Sequence, residues 1–377
     1  MALRALARVN LAAIERNVGR LRSSLSGQAE LCAVVKADGY GHGAAPAARA
    51  ALAGGATWLA VATADEAAEL RAAGLSGPTL VMGAVSSEEL GTAIAAGAEL
   101  VAWDRRFTER LAAAAAERDS SVRVHVKLDT GMGRLGTRDR AEALEIAELI
   151  ARSRGALELA GAMTHFATAD DDPEFLERQL SAFEPFASEL RSRFPGIVVH
   201  AANSAATLRS PASHFDLVRC GIAIYGCDPM QEEPSERGLE PALALSSYVA
   251  AVKLARSGES IGYGRRFVAE RDTWIGTLPI GYGDGVRRAL TNNCDVLLRG
   301  QRYPLVGTVS MDNITVDLGP EPGAQPGDEA ILIGTDGGER QTAEQLARRI
   351  GTINYEIVCG ISSRVPRAYH HDGEPIG

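Results

Sequence analysis

Lys36 closes the apolar run AVVK and leads straight into Ala37-Asp38-Gly39-Tyr40-Gly41-His42-Gly43, a tight glycine-rich turn. An apolar surround depresses the pKa of a lysine, and the neutral amine that results can form a Schiff base with a carbonyl. A second group lies in VRVHVKLDTGMGRLG, where strand alternation puts Arg123, His125, Lys127 and Asp129 on one face and Val122, Val124, Val126 and Leu128 on the other. Lys127 and Arg134 then bring two cations to one place, which is unfavourable unless one of them is neutralised. His165 ends another apolar run in MTHFATAD, beside Thr164 and Asp170. In HAANSAAT and LVRCGIAIYG, Ser204 heads a helical stretch and Gly221-Ile222 offers backbone N–H groups in a turn, so both suit an anion. Arg219, with a pKa above ~12, donates hydrogen bonds without surrendering a proton. Tyr263, in IGYGRRF, carries a phenol, and a phenol is a poor base unless its surroundings favour the phenolate.

Most of these residues sit where strand-like runs end. The runs LCAVVK, TWLAVA, TLVMG, ELVAW, VRVHVKLD, LELAGAMTH, IVVHAAN and FDLVRCGIAIYG alternate with helical stretches such as AAPAARAALAGG, ADEAAELRAAG, SSEELGTAIAAG and DRRFTERLAAAAAE. Eight such units within the first ~230 residues predict an α/β fold, a (β/α)8 TIM-type barrel whose chemistry lies at the C-terminal ends of its strands. An open doubly wound sheet is the alternative, but its dinucleotide version wants GxGxxG where this chain has KADGYGHG. Ahead of the barrel, NLAAIERNVGRLRSSL places Leu11, Ile14, Val18 and Leu21 at helical spacing behind Asn10, the expected N-cap. Around MQEEPSERGLEP the text turns polar, as in a linker. Beyond it ALALSSYVAAVKLA, DTWIGTLPIGYGDG, CDVLLRGQRYPLVGTVS, NITVDLG and DEAILIG are strand-like, and only QTAEQLARRIG reads as a helix. The expected domains are a barrel over residues 1–232, its first few residues packing with the second domain, and a mostly-β domain over residues 233–377.

Composition narrows the function classes. With 377 residues, 46% hydrophobic and 23% charged, the chain has ample core and no bias toward disorder. A formal net charge of -9 offers no basic face, so nucleic acid and anionic membrane are poor partners and a small molecule is the expected one. Cys32, Cys220, Cys227, Cys294 and Cys359 are scattered without CxxC spacing, which suits buried free thiols in a reducing compartment rather than zinc or redox work. His42, His125, His165 and His200 fall near strand ends, yet nothing in the sequence pairs them as metal ligands, and no metal is expected. MALRALARVN lacks a long apolar core and a cleavage site, and no run reaches ~20 apolar residues. A cytoplasmic location is expected.

AVVKADGYGHG resembles the cofactor-lysine segment of the alanine racemases, and further segments similar to that family recur in order through to residue 367. The resemblance implies pyridoxal 5'-phosphate on Lys36 and interconversion of L- and D-alanine, with D-alanine destined for peptidoglycan. A racemase needs a base on each face of a planar carbanion. The resemblance assigns these to Lys36 and to Tyr263, the latter contributed by the partner in a head-to-tail homodimer. It further implies a carbamylated Lys127 orienting Arg134 against the cofactor's phenolic oxygen and His165 bonded to Arg219 beside the ring. Arg219 is implied at the pyridine nitrogen, and Tyr40, Ser204, Gly221, Ile222 and Tyr355 around the phosphate. In GTVSMDNITVD and TINYEIVCGISSRVPR, Met311 is implied at the substrate carboxylate with Asp312 adjacent, and Tyr355 at the mouth of the site. Tyr282, in PIGYGDGVRR, matches a residue of the corridor leading in. Two positions depart from the usual family pattern. Ser310 stands where many relatives have Cys and Gly262 where Ser is common, which bears on how strictly alanine is preferred over serine.

Two other readings compete. A pyridoxal-phosphate-dependent decarboxylase shares this plan of domains but needs an acid at the ring nitrogen, where this chain has Arg219. A non-catalytic pyridoxal-phosphate carrier would be a barrel alone, without the domain that bears Tyr263.

Overall fold

The computed structural model describes residues 3–376; Met1 and Ala2, which open the N-terminal segment read above, and Gly377 lie outside the described residues. The chain divides into two compact units. One comprises Ile14–Gly39 and Ala44–Ile224; the other takes the described residues up to Ala13, the insert Tyr40–Gly43, and the chain from Tyr225 onward.

The first unit is built on eight parallel strands. They run in the spatial order Val198–His200, Leu157–Met163, Val122–Lys127, Glu99–Ala102, Thr79–Val81, Trp58–Val61, Glu30–Val34 and Leu217–Cys220. Each corresponds to one of the eight apolar runs. Backbone bonds from Asp216 N to Val199 O (3.0 Å) and from Arg219 N to Ala202 O (2.9 Å) tie the two outer strands together. The sheet therefore wraps into a barrel.

The surrounding helices start where the sequence supplies caps. Thr63 and Glu66 form a reciprocal capping box at the head of Ala64–Ala72, and Asp104, Asp139 and Asp172 each accept a bond from the first turn of their helix. Alanine gives these helices high propensity and a thin inner face, so Ala47, Ala48, Ala50 and Ala51 are all buried along Ala44–Ala53. The run FDLVRCGIAIYG is strand only to Cys220, and Ile222–Tyr225 turns as a 3-10 helix.

The second unit is mostly β. Its main sheet runs Gln301–Pro304, Asp295–Leu298, Glu329–Asp336, Leu243–Tyr248, Leu6–Asn10, Arg367–His371, Glu374–Pro375, with Glu339–Gln341 beside Glu329–Asp336. A three-stranded sheet joins Ala251–Ala255, Thr273–Leu278 and Ile314–Gly319. A short ribbon of Ser260–Ile261 and Phe267–Val268 carries Tyr263 in its loop. Ile261 and Phe267 pack on a buried cluster of Ala255, Ala269, Ile275 and Val306, which fixes the base of that loop.

Four readings of the sequence are corrected. Asn10 is no helix cap: it ends the strand Leu6–Asn10, and its side-chain amide exchanges bonds with Asp372 (2.9 and 3.1 Å). The supposed linker is an ordered turn. Pro234–Arg237 is a 3-10 helix closed by left-handed Gly238, and Arg237 pairs with buried Asp228 at 2.9 Å. QTAEQLARRIG is not the sole helix of this unit, since Asn354–Cys359 forms another. Of the cysteines, Cys32, Cys220, Cys227 and Cys294 are buried but Cys359 is exposed, because it ends that short surface helix.

Phe183 shows how the long helix Pro173–Arg193 is held. Its fully buried ring meets those of Phe186 and Phe215 at 6.0 and 5.5 Å. Replacing it with alanine leaves a cavity, and Phe183→Ala is expected to lower unfolding stability by about 3–5 kcal/mol. Denaturant titration checks this; a loss below about 1 kcal/mol would show that the helix can collapse onto the gap.

Candidate active site

Lys36 leaves its strand into an unusual backbone. Ala37, Asp38, Gly39 and Tyr40 all take left-handed φ between 52° and 60°. A left-handed turn costs an L-residue roughly 1–2 kcal/mol, so only strong local bonding can hold one that includes Ala37, Asp38 and Tyr40. Glu66 supplies much of it, accepting from Ala37 N at 2.6 Å with one carboxylate oxygen and from Ala62 N at 2.7 Å with the other. Asp38 accepts from Ala44 N (2.9 Å), and Gly39 N donates to Val35 O (2.9 Å). The backbone of Lys36 is thereby fixed. Strain of this kind collects at functional sites.

Around the C-terminal ends of the strands gathers a set of cations. His165 feels Arg219, Lys127, Arg134 and Lys36, in falling order of effect. Burial first, and these neighbours next, hold its imidazole well below the ordinary histidine range, so it is neutral at physiological pH. Its Nδ1 accepts from Arg219 Nη2 at 3.2 Å. Burial and then the positive charges of Arg219 and Arg134 push the Lys127 amine down to about 8. Asp129 is occupied elsewhere, accepting from Gly131 N, Gly133 N and Arg138 Nε at 3.0–3.1 Å. So many positive charges facing one small space favour an anionic ligand.

Arg219 is buried in the barrel, its pKa pushed down by desolvation to about 10, still cationic at neutral pH. Nη1 donates to His200 Nδ1 (2.8 Å), and Nη2 to the carbonyls of Thr164 and Ala201 (both 2.9 Å). Its Nε is buried and has no hydrogen-bond partner among the described residues. An unpaired buried donor of this strength wants an acceptor. Ser204, under the Asn203 cap of Ser204–Arg209, accepts from Gly221 N (2.9 Å) and Ala223 N (3.4 Å). Its hydroxyl hydrogen therefore points to something else. A heteroaromatic nitrogen on the guanidinium and an anion at the serine match this donor set, and Lys36, Lys127, Arg134, His165, Ser204, Arg219, Gly221 and Ile222 all belong to this unit.

The other predicted residues belong to the β unit. Tyr40 packs its ring on Tyr225 and Tyr355, with centroids 5.1 and 6.0 Å apart. The insert carrying it admits no side chain at Gly41, where a Cβ would lie 2.3 Å from Val358 O. Tyr263 is 74% exposed at the tip of its ribbon, and Thr308 Oγ1 donates to its carbonyl at 2.6 Å. Tyr282 and Met311, also exposed, lie in a loop pair where Tyr282 N bonds Ser310 O and Gly283 N bonds Met311 O, each at 2.9 Å. Asp312 pairs with Arg364 at 2.7 Å. Ser310 Oγ is spent on its own turn, bonding Asn313 O (2.8 Å) and Asn313 N (3.0 Å). Gly262 has φ of 73°, which suits glycine far better than serine.

Sequence reasoning missed Glu66, Glu99, Arg364 and the pairing of His125 with His200. The sequence places both histidines near strand ends without pairing them, and in the fold they bond each other, His125 Nδ1 to His200 Nε2, at 2.8 Å. Among the described residues no group of three or more His, Cys, Asp or Glu is placed to hold a metal ion.

Comparison with known proteins gives the same outline. Residues 9–229 match the family model "Alanine racemase, N-terminal domain" and residues 242–369 match "Alanine racemase, C-terminal domain". The chain is 40% identical over 370 residues to alanine racemase 1 of Bacillus subtilis, covering 97% of this chain and 93% of that one. It resembles the crystal structure of alanine racemase from D-cycloserine-producing Streptomyces lavendulae with a TM-score of 0.93, at 37% identity and 98% coverage of both chains. It also resembles the Bacillus anthracis enzyme with bound L-Ala-P, with a TM-score of 0.90 at 37% identity, covering 100% of this chain and 97% of that one.

The low pKa of Lys127 has a measurable consequence. Between about 8 and its ordinary 10.5 the unfolded chain holds a proton that the folded chain has lost, so stability rises with pH across that window. Below it the cost of burying the cation is fully present. In carbon-dioxide-free buffer Lys127→Met is expected to flatten this rise in the melting temperature. Bicarbonate is expected to stabilise the parent, which gains the mass of one carbon dioxide, and to leave the variant unmoved. A parent of unchanged mass would rule out carbamylation.

Proposed function

This chain belongs to the alanine racemase family, and from that premise we propose that it interconverts L- and D-alanine with pyridoxal 5'-phosphate on Lys36, supplying D-alanine for peptidoglycan. The enzyme is an isomerase. When bound, the cofactor draws electrons from the substrate's α-carbon and makes its hydrogen removable. The protein's task is then to hold, orient and move protons.

The observation that carries the cofactor assignment is the unpartnered buried Nε of Arg219. Placed at the pyridine nitrogen, it would donate a hydrogen bond and keep its proton, making the ring a weaker electron sink than one opposite a carboxylic acid. That choice suits racemisation and disfavours the decarboxylase alternative. Ser204, with the turn at Gly221-Ile222, would hold the phosphate, joined by Tyr40 and Tyr355. A carbamylated Lys127 would convert one cation into an anion and so hold Arg134 against the phenolic oxygen. The neutral His165 would lie beside the ring. Met311, with Asp312 next to it, would receive the substrate carboxylate.

Two bases complete the reaction. Lys36, on its rigid turn, would handle the α-proton on one face. Tyr263 would handle it on the other, in the site of a second copy of the chain. The support for this is its 74% exposure at the tip of a braced ribbon. The working enzyme would be a homodimer in the cytoplasm; no helix among the described residues is long and apolar enough to cross a membrane.

Tyr263→Phe is expected to cut racemisation about 10²–10⁴-fold, while the Lys36 face still exchanges the α-hydrogen of one enantiomer with deuterated water. Parent-like inversion of both enantiomers would refute the second base. Mixing inactive Lys36→Ala with inactive Tyr263→Phe is expected to restore part of the parent's activity, because a mixed dimer holds one intact site. No recovery after subunit exchange would refute the shared site.

A further inference from the structure

Behind Arg219 a line of hydrogen bonds crosses the barrel. Arg219 Nη1 meets His200 Nδ1 at 2.8 Å, His200 Nε2 meets His125 Nδ1 at 2.8 Å, and His125 Nε2 meets Glu99 Oε2 at 2.8 Å. Both imidazoles are fully buried and the Glu99 side chain is only 6% exposed. Glu99 opens the strand Glu99–Ala102 at the end of the barrel opposite the cofactor face, where its other oxygen accepts from Arg123 Nε at 3.0 Å.

The chemistry of the end groups sets the direction of every bond. Arg219 has only hydrogens to give, so His200 must accept with Nδ1 and carry its proton on Nε2. That proton goes to Nδ1 of His125, whose own proton therefore sits on Nε2. The carboxylate of Glu99 only accepts, and it closes the line. A second proton on either imidazole would set two N–H groups against each other somewhere along the chain. Burial agrees, holding His200 well below the ordinary histidine range. Room for the middle bond is provided by Gly161, where a Cβ would lie 2.2 Å from His125 Nδ1 and 2.5 Å from Val198 O.

We propose that Glu99 is a positioning residue for the reaction, acting through His125 and His200 to fix Arg219 as a pure donor whose Nε faces the ring nitrogen of the cofactor. The proposal rests on the assignment of Arg219 to that nitrogen. Glu99 supplies the buried guanidinium with a negative charge it never touches, and each bond polarises the next. Glutamine at position 99 would keep the volume but lose the charge, and its amide could donate to His125 and so erase the direction of the line.

Two measurements decide the matter. Nitrogen-15 NMR of the histidines in the parent apoprotein is expected to show His125 and His200 neutral, with the proton on Nε2 in both; an Nδ1–H tautomer or an imidazolium at either overturns the proposal without any variant. In the loaded enzyme, Glu99→Gln is expected to shift the cofactor's visible absorption band and to lower kcat about tenfold, with KM for alanine changed less than about twofold. A parent-like band and kcat overturn it. Arg219→Lys separates the two levels: if it leaves the band in place, the ring-nitrogen reading fails and takes the relay with it. If Arg219→Lys moves the band and Glu99→Gln does not, the relay alone fails.

Discussion

A guanidinium held out of water at the centre of a barrel is the constraint around which this protein is arranged. Arg219 is 2% exposed, and a buried cation is tolerated only where its hydrogens find acceptors. The fold provides them from two neighbouring strands: the carbonyls of Thr164 and Ala201 and the imidazoles of His165 and His200. Each lies at or just past the C-terminal end of its strand, so the parallel barrel is the device that makes the acceptors converge. Its Nε is the buried nitrogen left without an acceptor among the described residues.

The same economy of charge governs the neighbours. Burial, and after it the cations Arg219 and Arg134, depress the pKa of Lys127. Burial and the same cluster of cations keep His165 neutral. The barrel thus presents cationic donors and neutral rings to one small volume, a setting suited to a phosphorylated, electron-poor aromatic. In the β unit the arrangement is reversed. Tyr263, Tyr282 and Met311 are presented outward on loops whose bases are pinned by Thr308, Ser310 and a small apolar cluster.

Much of this was legible in the sequence because its signals were local. Eight apolar runs, glycine-rich turns and capping residues specify a barrel, and Lys36, His165, Ser204 and Arg219 stand at run ends where barrel chemistry belongs. What escaped was non-local. Glu99 opens an apolar run, and nothing in ELVAW hints that its carboxylate meets a histidine 26 positions away. His125 and His200 are 75 positions apart, and their pairing depends on a register that no periodicity encodes. Asn10 has the chemistry of a helix cap, yet a partner at position 372 outbids the helix. In the turn after Lys36, glycines at 39, 41 and 43 advertise left-handed backbone, but Ala37, Asp38 and Tyr40 adopt it too, held there by Glu66 from a different helix.

That turn has a mechanical consequence. A lysine on an ordinary loop could shift its whole backbone to follow a reacting atom. Here the peptide on its C-terminal side is clamped by Glu66, and the residues beyond are coiled against their preferred hand. The anchor is stiff and the tether soft: whatever travel the amine needs must come from rotation within its methylene chain, swinging like a boom from a fixed mast.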